Sequence, residues 1–547
     1  MTTLDPVKAR GAFFTPAPIA RHVTRWALRG PGGRVLEPAS GEAAFLLAAA
    51  ESGGSEWLLD GIELHPASAA AARSVLEATG VQASVTTADF FTLTPTGDYD
   101  AVIGNPPYVR YHDFTGGDRV RAQEAARRAG VKLSGMASSW AAFTVHAAGF
   151  LRPGGRLGLV LPAELLSVNY AAPVRRYLLE NFAQVRLVAF TERVFPGVVA
   201  EIVLLLAEGF GQGGPAPHRL QTLQVRNAAA LSDELEFASF TVRAPEQKWT
   251  SALIPAGGLR AFEKLLPSAG FGVLGDWGKV SLGIVTGNNG FFALSPEQAA
   301  GLGLGPADLL PLSPPGSSHL RNLEFSAEDL AELGRAGAAT WLFRPPDRRT
   351  PAATAYVRAG EELGVHEAYK CRIRTPWWQV RLVPPPDLLL TYMNADAPRL
   401  VENTARAHHL NSVHGLHLSQ GAAWAAGLLP MAGLCSVTLL GCETIGRSYG
   451  GGLLKLEPSE AKQLPLPSPE LLRDAAPALL AVRPAVAAAL AQARLADAVE
   501  LVDEALLVRT LGLPAETVHH LRAAHAHLQA RRQDRARTRF ALNRSSG

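Results

Sequence analysis

Asn105-Pro106-Pro107-Tyr108 is the stretch of this chain whose residue types point to the most specific chemistry. It follows an apolar run, Asp100 to Gly104, that reads as a buried strand. Asn-Pro and Pro-Pro are also ordinary turn punctuation. An Asn at a strand exit, stiffened by two prolines and followed by an aromatic, is a narrower arrangement. Proline fixes φ and has no N–H to donate. The Pro106 carbonyl can therefore be held facing a ligand, and with the Asn105 side-chain oxygen it offers two acceptors to an NH2 group. Acceptors on both hydrogens of an exocyclic amine draw its nitrogen toward tetrahedral geometry and free its lone pair for attack on an electrophilic methyl. Such a site stabilises positive charge developing on nitrogen, and positioning supplies much of the rest. No strong base is needed, because the ammonium product is acidic. Tyr108 is expected to stack on the base. A base inside a duplex reaches such a pocket only by flipping out. Phe195, in Val194-Phe195-Pro196, is the candidate for a second aromatic wall.

Three further polar residues sit at predicted strand exits: Glu37, Glu63 and Asp89. Val35 to Gly41 reads as a strand, a tight turn and a helix start, with Ala39 and Gly41 in the turn, which suits close backbone approach to a ligand. It lacks the Gly-x-Gly-x-x-Gly spacing that cradles a pyrophosphate. S-adenosyl-L-methionine has no pyrophosphate. Its ammonium group is favoured by an acid such as Glu37, one charge pair at ~4 Å being worth about 1 to 4 kcal/mol in water-like to surface-like surroundings. Glu63, followed by Leu64, can accept from both ribose hydroxyls. Asp89 can accept from the adenine amine, with the Phe90 ring on the purine.

These residues need a frame of strands and helices. Strands are predicted at Arg34 to Pro38, Leu58 to Leu64, Val81 to Thr87, Tyr99 to Gly104, Gly155 to Leu161, Val185 to Phe190 and Glu201 to Ala207. Helices are predicted at Ala43 to Glu51, Pro66 to Thr79 and Ser139 to Leu151. This alternation predicts a parallel α/β sheet with ligands outside the carboxyl ends of its strands. Gly209 to Pro217 reads as part of a linker spanning 209–220. Regular alternation is then lost until ~467, and from Pro469 the pattern is helical. The expected organisation is a catalytic domain over 1–240, an irregular partner-binding domain over 241–467 and a helical extension over 468–547.

At 547 residues the chain is too long for one core. A hydrophobic share of 47% suits globular packing, and a net charge of +3 neither demands nor excludes nucleic acid. Arginines cluster at 344–349, 372–381 and 531–539. The three cysteines have no Cys-x-x-Cys spacing, and His408, His409, His414 and His417 lack a metal-ligand spacing, so no metal site is expected. No signal peptide is read at the start. The Ala/Leu-rich stretch after 474 is read as interrupted by Pro477, Arg483, Pro484, Arg494 and Asp497, so no membrane span is expected. The expected location is the cytoplasm, in association with the nucleoid.

Taken together, these motifs resemble the DNA amino-methyltransferases, specifically the γ-order adenine enzymes of the TaqI type. Gly11-Ala12-Phe13-Phe14-Thr15-Pro16 is similar to the family's N-terminal motif, which implies that Phe14, Thr15 and Pro16 help close over the cofactor's methionine end. Leu36 to Gly41, Glu63, Asp89-Phe90, Asn105 to Tyr108 and Phe195 resemble its later motifs in order. The resemblance covers about 8–207. More loosely, Leu274 to Gly290 and Tyr449 to Pro458 look like parts of related recognition domains. It implies a Rossmann-like class I methyltransferase domain with a seven-stranded, mostly parallel sheet and a mixed α/β target-recognition domain. It also implies N6 methylation of adenine in double-stranded DNA, by a monomer, in restriction-modification or epigenetic marking. No Pro-Asp…Glu-x-Lys nuclease pattern stands in a convincing context. Candidates for DNA contact are Asn288, Asn289, Arg344, Arg372, Arg374 and Arg447, with Trp377-Trp378 a candidate wedge. RNA and protein-glutamine methyltransferases share the tetrapeptide and form the alternative. A specificity subunit without catalysis is disfavoured by the intact Asn105 and Glu63.

Overall fold

The computed structural model describes residues 15–53, 56–192, 194, 201–214, 218–232, 236–242, 244–266, 270–449 and 452–545, with side chains up to 534. Phe14 and Phe195 lie outside the described residues. The chain divides into two compact units, 1–260 and 261–547.

The first unit is built on one nine-stranded sheet: β1 (Gly33–Glu37), β2 (Trp57–Glu63), β3 (Ala83–Thr87), β4 (Tyr99–Gly104), β5 (Leu151–Pro162), β6 (Phe182–Phe190), β7 (Ile202–Phe210), β8 (His218–Val225) and β9 (Ala238–Val242). Their order is β3-β2-β1-β4-β5-β7-β6-β8-β9. β1 to β5 are mutually parallel, and β7 runs antiparallel between β5 and β6. The chain order reverses between β1 and β4, so their carboxyl ends flank the crevice where ligands bind in such sheets. Strand interiors are apolar: Val35, Ala101, Ile103, Val160, Val188 and Leu204 all join one buried core. Helices α1 (Ala17–Ala27) and α2 (Ala44–Gly53) contribute Ile19, Val23, Phe45 and Leu46 to it.

Two differences from the sequence expectation stand out. The sheet has nine strands rather than seven. Residues 218–220, expected to belong to a linker, open β8, which pairs parallel with β6, and β9 then closes on β8. The unit also runs past 240. Arg175, on α6 (Ala172–Asn181) and 1% exposed, donates to the carbonyls of Glu246, Gln247, Leu165 and Val168. Burial pulls its guanidinium down to about 10, and the ring of carbonyls replaces the lost water. The remaining crossover helices are α3 (Pro66–Ala78), α4 (Gly116–Arg128) and α5 (Ser139–Ala148).

The second unit holds a four-stranded antiparallel sheet of β10 (Gly278–Leu282), β11 (Leu388–Thr391), β12 (Leu400–Glu402) and β13 (Val413–Leu418), in the order β10-β13-β11-β12. The segment 468–547 belongs to this same unit. Helix α7 (Ser436–Ile445) packs against α10 (Ala515–Ser545), and α8 (Pro469–Ala491) packs against α9 (Leu495–Asp503). Asp503, fully buried, accepts from the Ser436 N–H and hydroxyl and from Arg522, tying three helices together. The 23-residue α8 continues through Pro477 and Pro484 rather than breaking there. It is long and apolar enough to cross a membrane by length and composition. Arg483 near its middle donates to the Gly427 carbonyl.

Candidate active site

β4 delivers Asn105 to the crevice. The residue is half-buried, and its amide is oriented from both ends. Nδ2 donates to Thr15 Oγ1 at 3.1 Å, and the Tyr108 hydroxyl lies 2.6 Å from Oδ1. The amide oxygen therefore faces the tetrapeptide, and the N-terminal segment touches the tetrapeptide through Thr15. Pro16 accepts from Ile19 and Ala20 and so opens α1. Pro106 is buried, and among the described residues no donor is hydrogen-bonded to its carbonyl.

Tyr108 was expected to offer a stacking face. Its ring is half-buried against the sheet core, and its hydroxyl has a second acceptor in Val160 O at 2.9 Å. One hydroxyl proton serves one acceptor at a time, so donation to Val160 leaves Asn105 Oδ1 available to another donor. Burial raises the phenol well above its usual range, which keeps it protonated.

On the other side of the crevice, Glu37 is 2% exposed and accepts from the Leu46 N–H at 3.1 Å, at the start of α2. Burial lifts its carboxyl well above the usual range, and the like charge of Glu63 adds to this. The turn between them is unusual. Gly41 has φ +50°, open space surrounds the position of its missing Cβ, and Ala43 follows at φ +64°. A non-glycine residue there costs of order 1–3 kcal/mol. Ser40 Oγ is buried without a partner among the described residues. Glu63 accepts from Gly41 N–H and His65 N–H, each at 2.9 Å, so its carboxylate shapes the turn. Leu64 beside it is 55% exposed, an apolar patch at a polar rim, and Ala39 is half-buried in the turn. A buried acid short of a cation, a partnerless hydroxyl and an open glycine turn fit the methionine end of S-adenosylmethionine.

The loop after β3 departs from expectation. Asp89 Oδ1 accepts from Phe91 N–H, while Oδ2 pairs with Arg121 of α4 at 2.7 Å. Phe90 was expected to lie on a purine, but its ring is 3% exposed. It stacks with Phe143 of α5 and with Phe150, just after that helix, at centroid distances of 5.0 and 5.1 Å. His146 lies in the same cluster with Nε2 3.0 Å from the Phe90 carbonyl, and burial pushes it down to about 4.

Sequence reasoning missed Ser139, Arg121, Arg128 and His146. Arg121 and Arg128 stand seven residues apart on one face of α4, and both reach the loop after β3, Arg128 through the Phe91 carbonyl. Helix α4 is polar along most of its length, so it carries no apolar periodicity to reveal it. Ser138-Ser139 ahead of an apolar run did carry a helix-start signal.

The six DNA-contact candidates fare differently. Arg344 donates to Val380 O and Pro345 O, Arg374 to Thr286 O and Val285 O, and Arg447 pairs with Glu460. Asn288 caps a short helix, and exposed Asn289 accepts from Thr286. Arg372 is exposed. Trp377 packs on Phe291 and donates to Glu361, and Arg349 lies over Trp378. Among the described residues no group of three or more His, Cys, Asp or Glu is placed to hold a metal.

Residues 72–195 match the family model described as Eco57I restriction-modification methylase. Residues 246–507 match that of the Type II methyltransferase M.Eco57I C-terminal domain. The chain is 30% identical over 492 residues to the Type II methyltransferase M.XamI of Xanthomonas campestris pv. amaranthicola, covering 86% of this chain and 88% of that one. It is 23% identical to M.AccI of Acinetobacter calcoaceticus, covering 84% and 85%. Among solved structures, the type IIG restriction endonuclease BpuSI aligns over 97% of this chain and 67% of its own, at 12% identity and a TM-score of 0.44. Two family models along the chain and a relative matched along most of its length lead to one conclusion: the chain belongs to the Type II restriction-modification DNA methyltransferases, and its methyl donor is S-adenosylmethionine.

Proposed function

We propose that the protein methylates the N6 amine of an adenine flipped out of double-stranded DNA, as the modification enzyme of a restriction-modification system. The observation that carries this is the pairing of Asn105 Oδ1, oriented by Thr15 and Tyr108, with the Pro106 carbonyl, which has no donor of its own. S-adenosylmethionine supplies a methyl group on a sulfonium. Asn105 and Pro106 accept the two amine hydrogens and stabilise the charge that forms on nitrogen. Tyr108 releases Oδ1 by donating to Val160 instead, and the exposed part of its ring contacts the base. Phe195 is assigned the opposite wall.

Glu37 receives the donor's ammonium group, Glu63 its ribose hydroxyls and Asp89 its adenine amine. Thr15 and Pro16, with Phe14 before them, close over the methionine end. The second unit reads the target, with Arg372 and Asn289 the candidates on its surface. The enzyme acts as a monomer, in the cytoplasm and on the nucleoid.

Methyl-tritiated donor offered with duplex DNA, tRNA, rRNA and protein tests the proposal. Label is expected in duplex DNA. Label in RNA or protein but never in DNA overturns it.

A further inference from the structure

We propose that Ser139 is a positioning residue for methyl transfer, holding the backbone on both sides of Tyr108 so that the Pro106 carbonyl and Asn105 keep their spacing. This rests on the reading of Asn105 to Tyr108 as the catalytic segment. That segment has an inherent weakness. Pro106 and Pro107 have no N–H, so two of its four residues cannot be fixed by donating. It lies beyond the last residue of β4 and is outside the sheet's hydrogen bonding. Around the two prolines the backbone is held through carbonyls and through neighbouring N–H groups.

Ser139 supplies both. Its hydroxyl donates to the Pro107 carbonyl and accepts from Val109 N–H at 2.9 Å. Its own N–H donates to the Val109 carbonyl at 3.0 Å. One residue thus makes three hydrogen bonds, two to the peptide groups that bracket Tyr108 and one to the next peptide group along, that of Val109 and Arg110. A hydroxyl is the smallest side chain that donates and accepts at once. Ser139 is 2% exposed, so no water replaces it. It also opens α5, a helix buried at every residue, so the clamp is mounted on rigid structure. Asn105 is also held by Thr15, and the Tyr108 hydroxyl on Val160 must stay free to exchange partners if Asn105 is to serve the amine. Ser139 is a tether that does not have to move.

Misplacement of a reacting group by about 1 Å costs about a hundredfold in rate. Ser139→Ala removes the hydroxyl and leaves two backbone groups unpaired. In full-length protein, at a temperature where circular dichroism shows the variant folded, single-turnover methylation of unmethylated genomic DNA is expected to fall about 10- to 100-fold. The Kd for S-adenosylmethionine, by calorimetry, is expected to change less than about twofold. Ser138→Ala is the control. Ser138 is a buried neighbour whose hydroxyl faces Tyr170 instead, and its rate is expected to stay within about twofold of the parent. If Ser139→Ala does not fold, Ser139→Cys, a weaker donor and acceptor, is measured in its place with the same expectation.

The proposal is overturned if the Ser139 variant methylates at the parent rate, if cofactor affinity falls in step with rate, or if Ser138→Ala loses as much. A parent enzyme that labels no DNA refutes the catalytic reading itself, an outcome distinct from a Ser139 variant that labels DNA normally.

Discussion

The two units differ in where their notable polar side chains stand and in how many are spent on the unit's own backbone. In residues 1–260, Glu37, Glu63 and Asn105 stand at strand exits, while Asp89 pairs with Arg121 and Arg175 donates to four backbone carbonyls. In residues 261–547 the polar residues that look most suited to a partner are largely consumed inside the unit. Arg374 and Arg344 bind backbone carbonyls, Arg447 binds Glu460, and Arg532 makes a buried ion pair with Glu443 at 2.8 Å, both side chains 4% exposed. The difference follows from architecture. A parallel sheet satisfies its own backbone, which releases the residues at its edges for chemistry. An irregular unit with short strands leaves carbonyls unpaired, and arginine, with five donors, is the residue that satisfies them.

Substitutions on either side test this contrast. The largest effect is expected at Asn105→Ala, which should cut methyl transfer at least about a hundredfold, as loss of one preorganised charge-stabilising group does. Cofactor binding measured by calorimetry should remain nearly unchanged. Next comes Glu443→Ala, which strands a buried Arg532 and should cost about 3–5 kcal/mol of stability in a denaturant titration. A deficit below about 1 kcal/mol would mean that the carbonyls around Arg532 suffice.

Arg374 and Arg372 make a sharper pair. Arg374→Ala should lower stability by about 1–3 kcal/mol, through the carbonyls it leaves unpaired. Arg372→Ala should leave stability within about 0.5 kcal/mol. It should weaken DNA binding and reduce the salt slope by about one. The reverse pattern would show that burial misidentifies the surface arginines.

The smallest effect is a pH dependence. Burial raises the free Glu37 carboxyl, and its charged form is the one that holds a cation. Cofactor affinity should therefore rise with pH above the usual carboxylate range and level off once Glu37 is ionised. Binding within that window should release protons to buffer. Affinity that is flat across it would contradict the role of Glu37.

The same contrast explains what was legible in the sequence. β1, β2 and β4 could be read because each is a short, mostly apolar run ending at or just before a polar residue. β8 and β9 were not read, because a Gly/Pro-rich stretch precedes them and reads as a linker. Helix α4 escaped for lack of an apolar stripe. Asn105 and Glu63 were singled out by residue type and by their place at strand exits. Ser139 did not, because its role depends on a contact 32 residues back along the chain. The Phe90 ring was misjudged because the sequence does not show that Phe143 and Phe150 enclose it. In the second unit, arginine clusters looked like surface, and nothing local distinguished Arg372 from Arg374 two residues later.

The central claim is that Asn105 and Pro106 present two acceptors to an adenine amine. Nucleoside mass spectrometry of duplex DNA treated with the enzyme and isotope-labelled donor tests it most directly. The account predicts label in N6-methyladenine, lost in Asn105→Ala. Label in N4-methylcytosine or 5-methylcytosine, or N6-methyladenine formed equally well without Asn105, would contradict it.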